Sequence, residues 1–422
     1  MPSHTKFHVS QANVELSSHS GLALLGDLMQ PCKFKHEVDK VHLLRRPNPE
    51  LRHGEVLGTM TALLFLGKPD CDAVKPLQGD LLLRKALGLP HVPSAETLRD
   101  RLEKADHLFD DVVRKLSGDV VPLDIDVTPF DNSGSHKEGV SRTYHNCDGY
   151  APILAYLGQE GYLVNCELRE GKTHSQNGAD RFLDESITLA RQATDKPLLV
   201  RMDSAHDALD NIKVCHRRKV DYLIKRNIRS EDPQAWLETA QTLGVETRPR
   251  LGKRVWIGSY HTERDGLTLR LVFEVIERTI DRGGQMLLMP ELEVNTWWTS
   301  LTCDEATVIG LYYQHATCEQ FHSELKGDMD LERLPSGKFA TNNLVLLLGM
   351  FAYNCLRLIG QSSLSFPGPH RKAATRRRLR TVLQDIVYMA CQVIHHARRW
   401  ILGFGGNNKW YPVWVGVHLK FT

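Results

Sequence analysis

From Val120 onward the apolar and polar positions of the chain alternate. In VPLDIDVTPF, Val121, Leu123, Ile125 and Val127 point one way while Asp124 and Asp126 point the other, the period of two that marks a strand. Two more strand-like runs, YAPILAYLG and GYLVNCELRE, meet across Gly158-Gln159-Glu160-Gly161, and this spacing predicts a hairpin. A helix is expected over about 177–193, then a buried strand behind Pro197 that ends at Asp203, a helix over 207–218 and the strand DYLIKR. Residues 228–300 break this rhythm with KRVWIGSYHT, LTLRLVFEVIER and QMLLMPELEV, three runs that predict an all-β insertion. Helical spacing returns over 304–326 and, strongly apolar, over 342–361.

Residues 1–115 read as helical. Within them Leu81–Leu87, the turn GLPHVP and SAETLRDRLEKA suggest two helices, with Ser94 as N-cap and Leu98 and Leu102 at helical spacing. That pair suits a DNA-reading helix-turn-helix as well as ordinary helix packing. The predicted organisation is a mixed α/β chain: a helical N-terminal region (1–115), a core (116–227 and 301–362), the β insertion (228–300) and a basic helical C-terminal region (363–422). Three antiparallel strands followed by strands alternating with helices match a ribonuclease-H-like core.

Composition narrows the classes. The 422 residues, 41% hydrophobic and 25% charged, are those of a globular protein with ample core. MPSHTKFHVSQ lacks an apolar signal segment, and the run Leu344–Ala352 is too short to span a bilayer, so a cytoplasmic protein without membrane partners is expected. Nine cysteines stand singly without a CxxC pair, which suggests neither a zinc site nor a disulfide framework. Net charge is only +2, but RKAATRRRLR, with Arg376, Arg377 and Arg378, and then Arg398-Arg399 suggest one basic helical face suited to phosphates.

Three carboxylates fall where such a core would gather them. Asp126 faces out from the first strand, Asp203 ends a buried strand, and Glu319 lies in the helix after the insertion. Hard oxygen donors suit Mg²⁺ or Mn²⁺ rather than zinc. Two such ions could activate an attacking oxygen and stabilise a leaving one without a protein nucleophile. Around Glu319, the spacing of Tyr312, His315, Glu319, His322 and Lys326 predicts one polar stripe. Leu311, Cys318, Phe321 and Leu325 form the apolar stripe beside it. Asp124 shares its face with Asp126 and remains the rival first carboxylate. Asp203 could equally cap the following helix. Trp297 and Trp298 could stack on bases or pack in the core.

The pattern Tyr312-(2)-His315-(3)-Glu319-(6)-Lys326 resembles the YREK signature of DDE transposases from bacterial insertion sequences. DIDVT resembles their first catalytic strand and VRMDSAHD their second. KEGVSRTYHNCDGYAPI and CEQFHSELKGDMDLERLPSGKFATNN are similar to the insertion-sequence family numbered thirteen-eighty. The resemblance implies a transposase that binds the terminal inverted repeats of its element. Asp126, rather than Asp124, would join Asp203 and Glu319 in holding two Mg²⁺ ions, because the family carries Asp-x-Thr there. Tyr312, Lys326, Trp298 and the arginines 376–378 would contact DNA. A homodimer would hold two element ends, in the bacterial cytoplasm beside the nucleoid. One position departs, since His315 stands where the signature has Arg and lacks its bidentate fork. The rival reading is a catalytically inactive, transposase-derived DNA-binding protein, and a nuclease that cuts without joining is a third.

Overall fold

The computed structural model describes residues 10–11, 13–40, 50–103, 119–281, 283–370 and 374–422. The chain divides into two compact units, 109–354 and 1–108 with 355–422.

The first of these carries a nine-stranded sheet. Its strands are β1 (Val121–Val127), β2 (Ile153–Leu157), β3 (Tyr162–Glu167), β4 (Leu198–Met202), β5 (Asp221–Arg226), β6 (Val245–Arg250), β7 (Lys253–Arg264), β8 (Leu267–Ile280) and β9 (Met286–Thr299). Across the sheet they run β6-β7-β8-β9-β5-β4-β1-β2-β3. β1, β2 and β3 form the predicted antiparallel meander, while β1, β4 and β5 are parallel. Helices α1 (Ala179–Ala193), α2 (Leu209–Arg218), α3 (Pro233–Leu243), α4 (Glu305–Tyr313), α5 (Thr317–Ser323) and α6 (Phe339–Ser363) complete the labelled elements.

The alternation in β1 decides which helices cover which face. Val121, Leu123, Ile125 and Val127 join a buried cluster with Phe182, Leu183 and Ile187 of α1 and Ile212 of α2. Burial of each such side chain is worth roughly 1.5–3 kcal/mol. Asp124 and Asp126 necessarily face the other side, the side reached by residues of α5.

Two expectations change. Residues 228–300 are not a separate all-β module: they begin with α3, and β9 pairs antiparallel with β5, so β6–β9 extend the core sheet itself. Amphipathic α3 packs Trp236, Leu237 and Ala240 into the same cluster as β1, and an eleven-residue helix had been overlooked among stronger strand signals. The helix expected over 304–326 is broken. A 3₁₀ turn, Gln314–Ala316, separates α4 from α5, and a π turn, Glu324–Asp328, follows.

The second unit is helical at its N-terminal side, with Gly21–Met29, Phe34–Lys40, His53–Phe65, Leu81–Ala86 and Ala95–Leu102. Ser94 caps the last of these by accepting from the Thr97 amide. Residues 41–49 and 104–118 of the expected helical region, and 371–373 of the basic run, lie outside the described residues. The basic stretch is not one helix. Leu379–Val382 is a single turn, and Cys391–His396 with Arg399–Phe404 form an antiparallel hairpin whose turn holds Arg398 at φ +64°. β-branched and aromatic residues, with Ile394 opposite Ile401, Val393 opposite Leu402 and Trp400 opposite His395, favour this over a helix. By length and composition α6 could cross a membrane, but 78% of its most apolar stretch is buried in the protein.

Candidate active site

The parallel ladder pairs Asp124 with Arg201 and Ile125 with Met202. One step further brings Asp126 opposite Asp203, the first residue beyond β4. Two adjacent strand ends thus deliver two carboxylates to one edge of the site. Glu319 comes from α5 and is exposed.

Tyr144 marks where the three charges converge. Its hydroxyl donates to the Val127 carbonyl at 2.8 Å. Burial, and then the negative charges of Asp126, Asp203 and Glu319, push its phenol above the ordinary range. Tyr312 feels burial, Asp203 and Asp126 in the same direction, and its ring lies 5.7 Å from those of both Trp297 and His315.

Asp126 is kept ionised despite its burial. Desolvation would raise its pKa, but hydrogen bonding to His322 and the nearby imidazoles outweigh that and hold it below the usual carboxylate range. His322 Nε2 lies 3.1 Å from Asp126 Oδ2, and its Nδ1 lies 3.3 Å from the Tyr156 hydroxyl. Asp203 accepts from the Ala205 amide at 3.1 Å and meets His206 Nδ1 at 2.8 Å, so it caps the next turn while 39% of its side chain stays exposed. Ionised oxygen donors open to solvent are the chemistry that Mg²⁺ or Mn²⁺ takes. The donor set of Asp126, Asp203 and Glu319 fits such an ion.

Asp124 has another task. Its two oxygens receive Arg201 Nε and one terminal nitrogen, each at 2.7 Å, and His315 Nδ1 lies 2.9 Å away. Arg201 also donates to the Leu311 carbonyl at the end of α4. All three side chains are buried. They rivet the turn before α5 to the sheet and leave Asp126 as the available acid on β1.

Three expected DNA contacts are placed elsewhere. His315 is buried on Asp124. The predicted polar stripe is not kept: the 3₁₀ turn at Gln314–Ala316, advancing about 120° per residue rather than 100°, changes the facing of His315 relative to α5, and within α5 His322 is buried while Glu319 is exposed. Trp298 is buried, with its indole N–H donating to Asp207 at 3.0 Å, so no ring face is offered to a base. Arg377 is buried, donating to Ser363 Oγ and pairing with Asp385. Lys326 is half-buried and donates to the Pro129 carbonyl at 3.3 Å. Arg376 is half-buried and Arg378 exposed.

Sequence reasoning gave no role to Tyr144 or Arg201, and placed Cys318 only on the apolar stripe and His322 only on the polar one. Arg201 was detectable in principle, as a charge inside an apolar strand that pairs in register with one in β1. Tyr144 lies in an irregular stretch that carries no periodic signal.

The chain matches the family of the transposase DDE domain, group 1, over residues 3–413. It belongs to that family. A cryo-EM structure of the piggyBac transposase synaptic complex with hairpin DNA is similar at TM-score 0.44 and 10% identity, covering 88% of this chain and 80% of the other. No curated protein matches the chain.

Proposed function

We propose that this DDE transposase binds the inverted repeats at the ends of its mobile element and catalyses strand cleavage and strand transfer. The observation that carries this reading is the β1–β4 register, which brings Asp126 and Asp203 to neighbouring strand ends, with Glu319 exposed on α5. The strand order β3-β2-β1-β4-β5 supports a ribonuclease-H-like core beneath it, and the two acids at neighbouring strand ends are where such a sheet carries its site.

Asp126, Asp203 and Glu319 would hold two divalent cations, Mg²⁺ or Mn²⁺. When bound, such ions make water or a 3′-hydroxyl nucleophilic and neutralise the departing oxygen. The chain's own part is to hold the acids in place. His322 steadies Asp126, His206 steadies Asp203, and the Asp124–Arg201–His315 cluster fixes the start of α5. Tyr312, Lys326 and the exposed arginine Arg378 would contact backbone phosphates. A dimer bringing two ends together, acting beside the nucleoid, belongs to the same reading.

The test is to incubate the protein with the DNA flanking its gene and Mg²⁺, beside Glu319→Gln, and to map the strand ends. Cuts at the repeat boundaries that vanish in the variant support the proposal. Specific binding without cleavage in either Mg²⁺ or Mn²⁺ would overturn it in favour of a DNA-binding protein without catalysis.

A further inference from the structure

Three side chains of unlike chemistry meet between β1 and α5. Cys318 and His322 stand one helical turn apart on α5, and Asp126 reaches them from β1. His322 Nε2 is 3.1 Å from Asp126 Oδ2 and 3.7 Å from Cys318 Sγ, and the three donor atoms all lie within 4.8 Å of one another. Cys318 and His322 are buried and Asp126 is partly so.

These separations have a metric meaning. Tetrahedral zinc binds sulfur at roughly 2.3 Å and nitrogen or oxygen at about 2.0–2.1 Å. Ligand atoms on one such ion are then about 3.3 Å apart for nitrogen with oxygen and about 3.6 Å for sulfur with nitrogen. The two contacts at His322 differ from those edges by a few tenths of an ångström. A thiol and an imidazole are poor ligands for Mg²⁺ and good ones for zinc. The outer partner of the ring is also in place, because the tautomer that leaves Nε2 free to bind carries its proton on Nδ1 and can donate it to the Tyr156 hydroxyl oxygen.

We propose that Asp126, Cys318 and His322 form a site for a thiophilic divalent ion, zinc foremost, with water or solvent as fourth ligand. Binding displaces one proton from the Cys318 thiol, which is released to solvent, and the thiolate, the imidazole and the carboxylate then share the ion. Burial pushes that thiol well above its ordinary value, so the ion itself must drive the deprotonation. Zinc held here occupies an oxygen of Asp126. The further consequence, that the acid is withdrawn from the Mg²⁺ set, rests on the strand-cleavage reading; the binding does not.

Binding is tested on the reduced, full-length protein without DNA. Titration with Co²⁺ in excess Mg²⁺ should give one ion per chain with a thiolate-to-cobalt absorption that zinc abolishes. Cys318→Ser and Cys318→Ala should each lose that absorption and weaken zinc binding by more than about 100-fold, since removing an outer partner alone costs roughly 10–100-fold. X-ray absorption of the wild-type zinc complex, which needs no variant, should read one sulfur with nitrogen and oxygen ligands. Absence of the thiolate band in the wild type, its survival in Cys318→Ser, or a zinc shell with no sulfur would each overturn the site.

Discussion

Arg201 grips Asp124 with two nitrogens at 2.7 Å, wholly out of solvent, two residues from an acid that stays partly open. Neighbours on one strand face therefore divide structure from chemistry. Removing one partner of a buried ion pair costs roughly 3–5 kcal/mol. Asp124→Asn should lower unfolding free energy by about that amount. Asp126→Asn should instead leave the fold near wild type and abolish cleavage. Denaturant melts beside cleavage assays check this, and equal stability loss in both variants would refute the division.

Glu319 is exposed, so Glu319→Gln should fold normally and bind repeat DNA as wild type does. A cation stabilises the transition state by several kcal/mol, and each 1.4 kcal/mol is tenfold in rate. Cleavage should then fall by at least on the order of 10²-fold. Single-turnover rates with binding measured in parallel would show it, and a loss of binding equal to the loss of rate would contradict it.

Chelation makes a companion prediction. EDTA should stop cleavage completely while the melting temperature barely changes, because Asp126 is already stabilised by His322 and Asp203 by His206 without an ion. Added Mn²⁺ should restore the reaction.

Gly161 closes the β2–β3 turn at φ +73°, and a Cβ there would sit 2.3 Å from the Phe321 ring of α5. Gly161→Ala should cost about 1–3 kcal/mol through strain and crowding and displace the helix that carries Glu319. Cleavage should drop although the substitution touches no acid, as thermal melts and strand-cleavage rates would reveal. Wild-type activity would mean that α5 is not seated on this turn.

His315 links stability to pH. Burial alone would lower its pKa, but the Asp124 carboxylate outweighs burial and raises it. The folded value thus lies above the unfolded value near 6.5. The stabilisation is complete below about pH 6.5 and is lost as pH rises through the folded value. Melts across this range should show stability declining toward alkaline pH, with a shallower decline in His315→Gln.

Much of this was legible in the chain. The alternation from Val121 to Val127 placed Asp124 and Asp126 on one face, and the spacing around Glu319 placed it on a helix docked through Cys318, Phe321 and Leu325, all buried. The rest depended on local pitch and on partners distant in sequence. Nothing near His315 signals the 3₁₀ turn that rotates it onto Asp124, and no spacing rule joins Cys318-x₃-His322 to Asp126. For Trp298 and Arg377 the choice between DNA contact and a structural role stayed open because nothing in sequence points to their partners, Asp207 and Asp385.

β9 returns from the extended hairpins to pair Thr299 with both Leu223 and Arg270, so the start of α4 is set by the ladder's near end. The far tip of the β8–β9 hairpin can lengthen or shorten without moving Glu319. Evolution is thereby given a place to vary, where an element could acquire new contacts while the spacing of its three acids is left untouched.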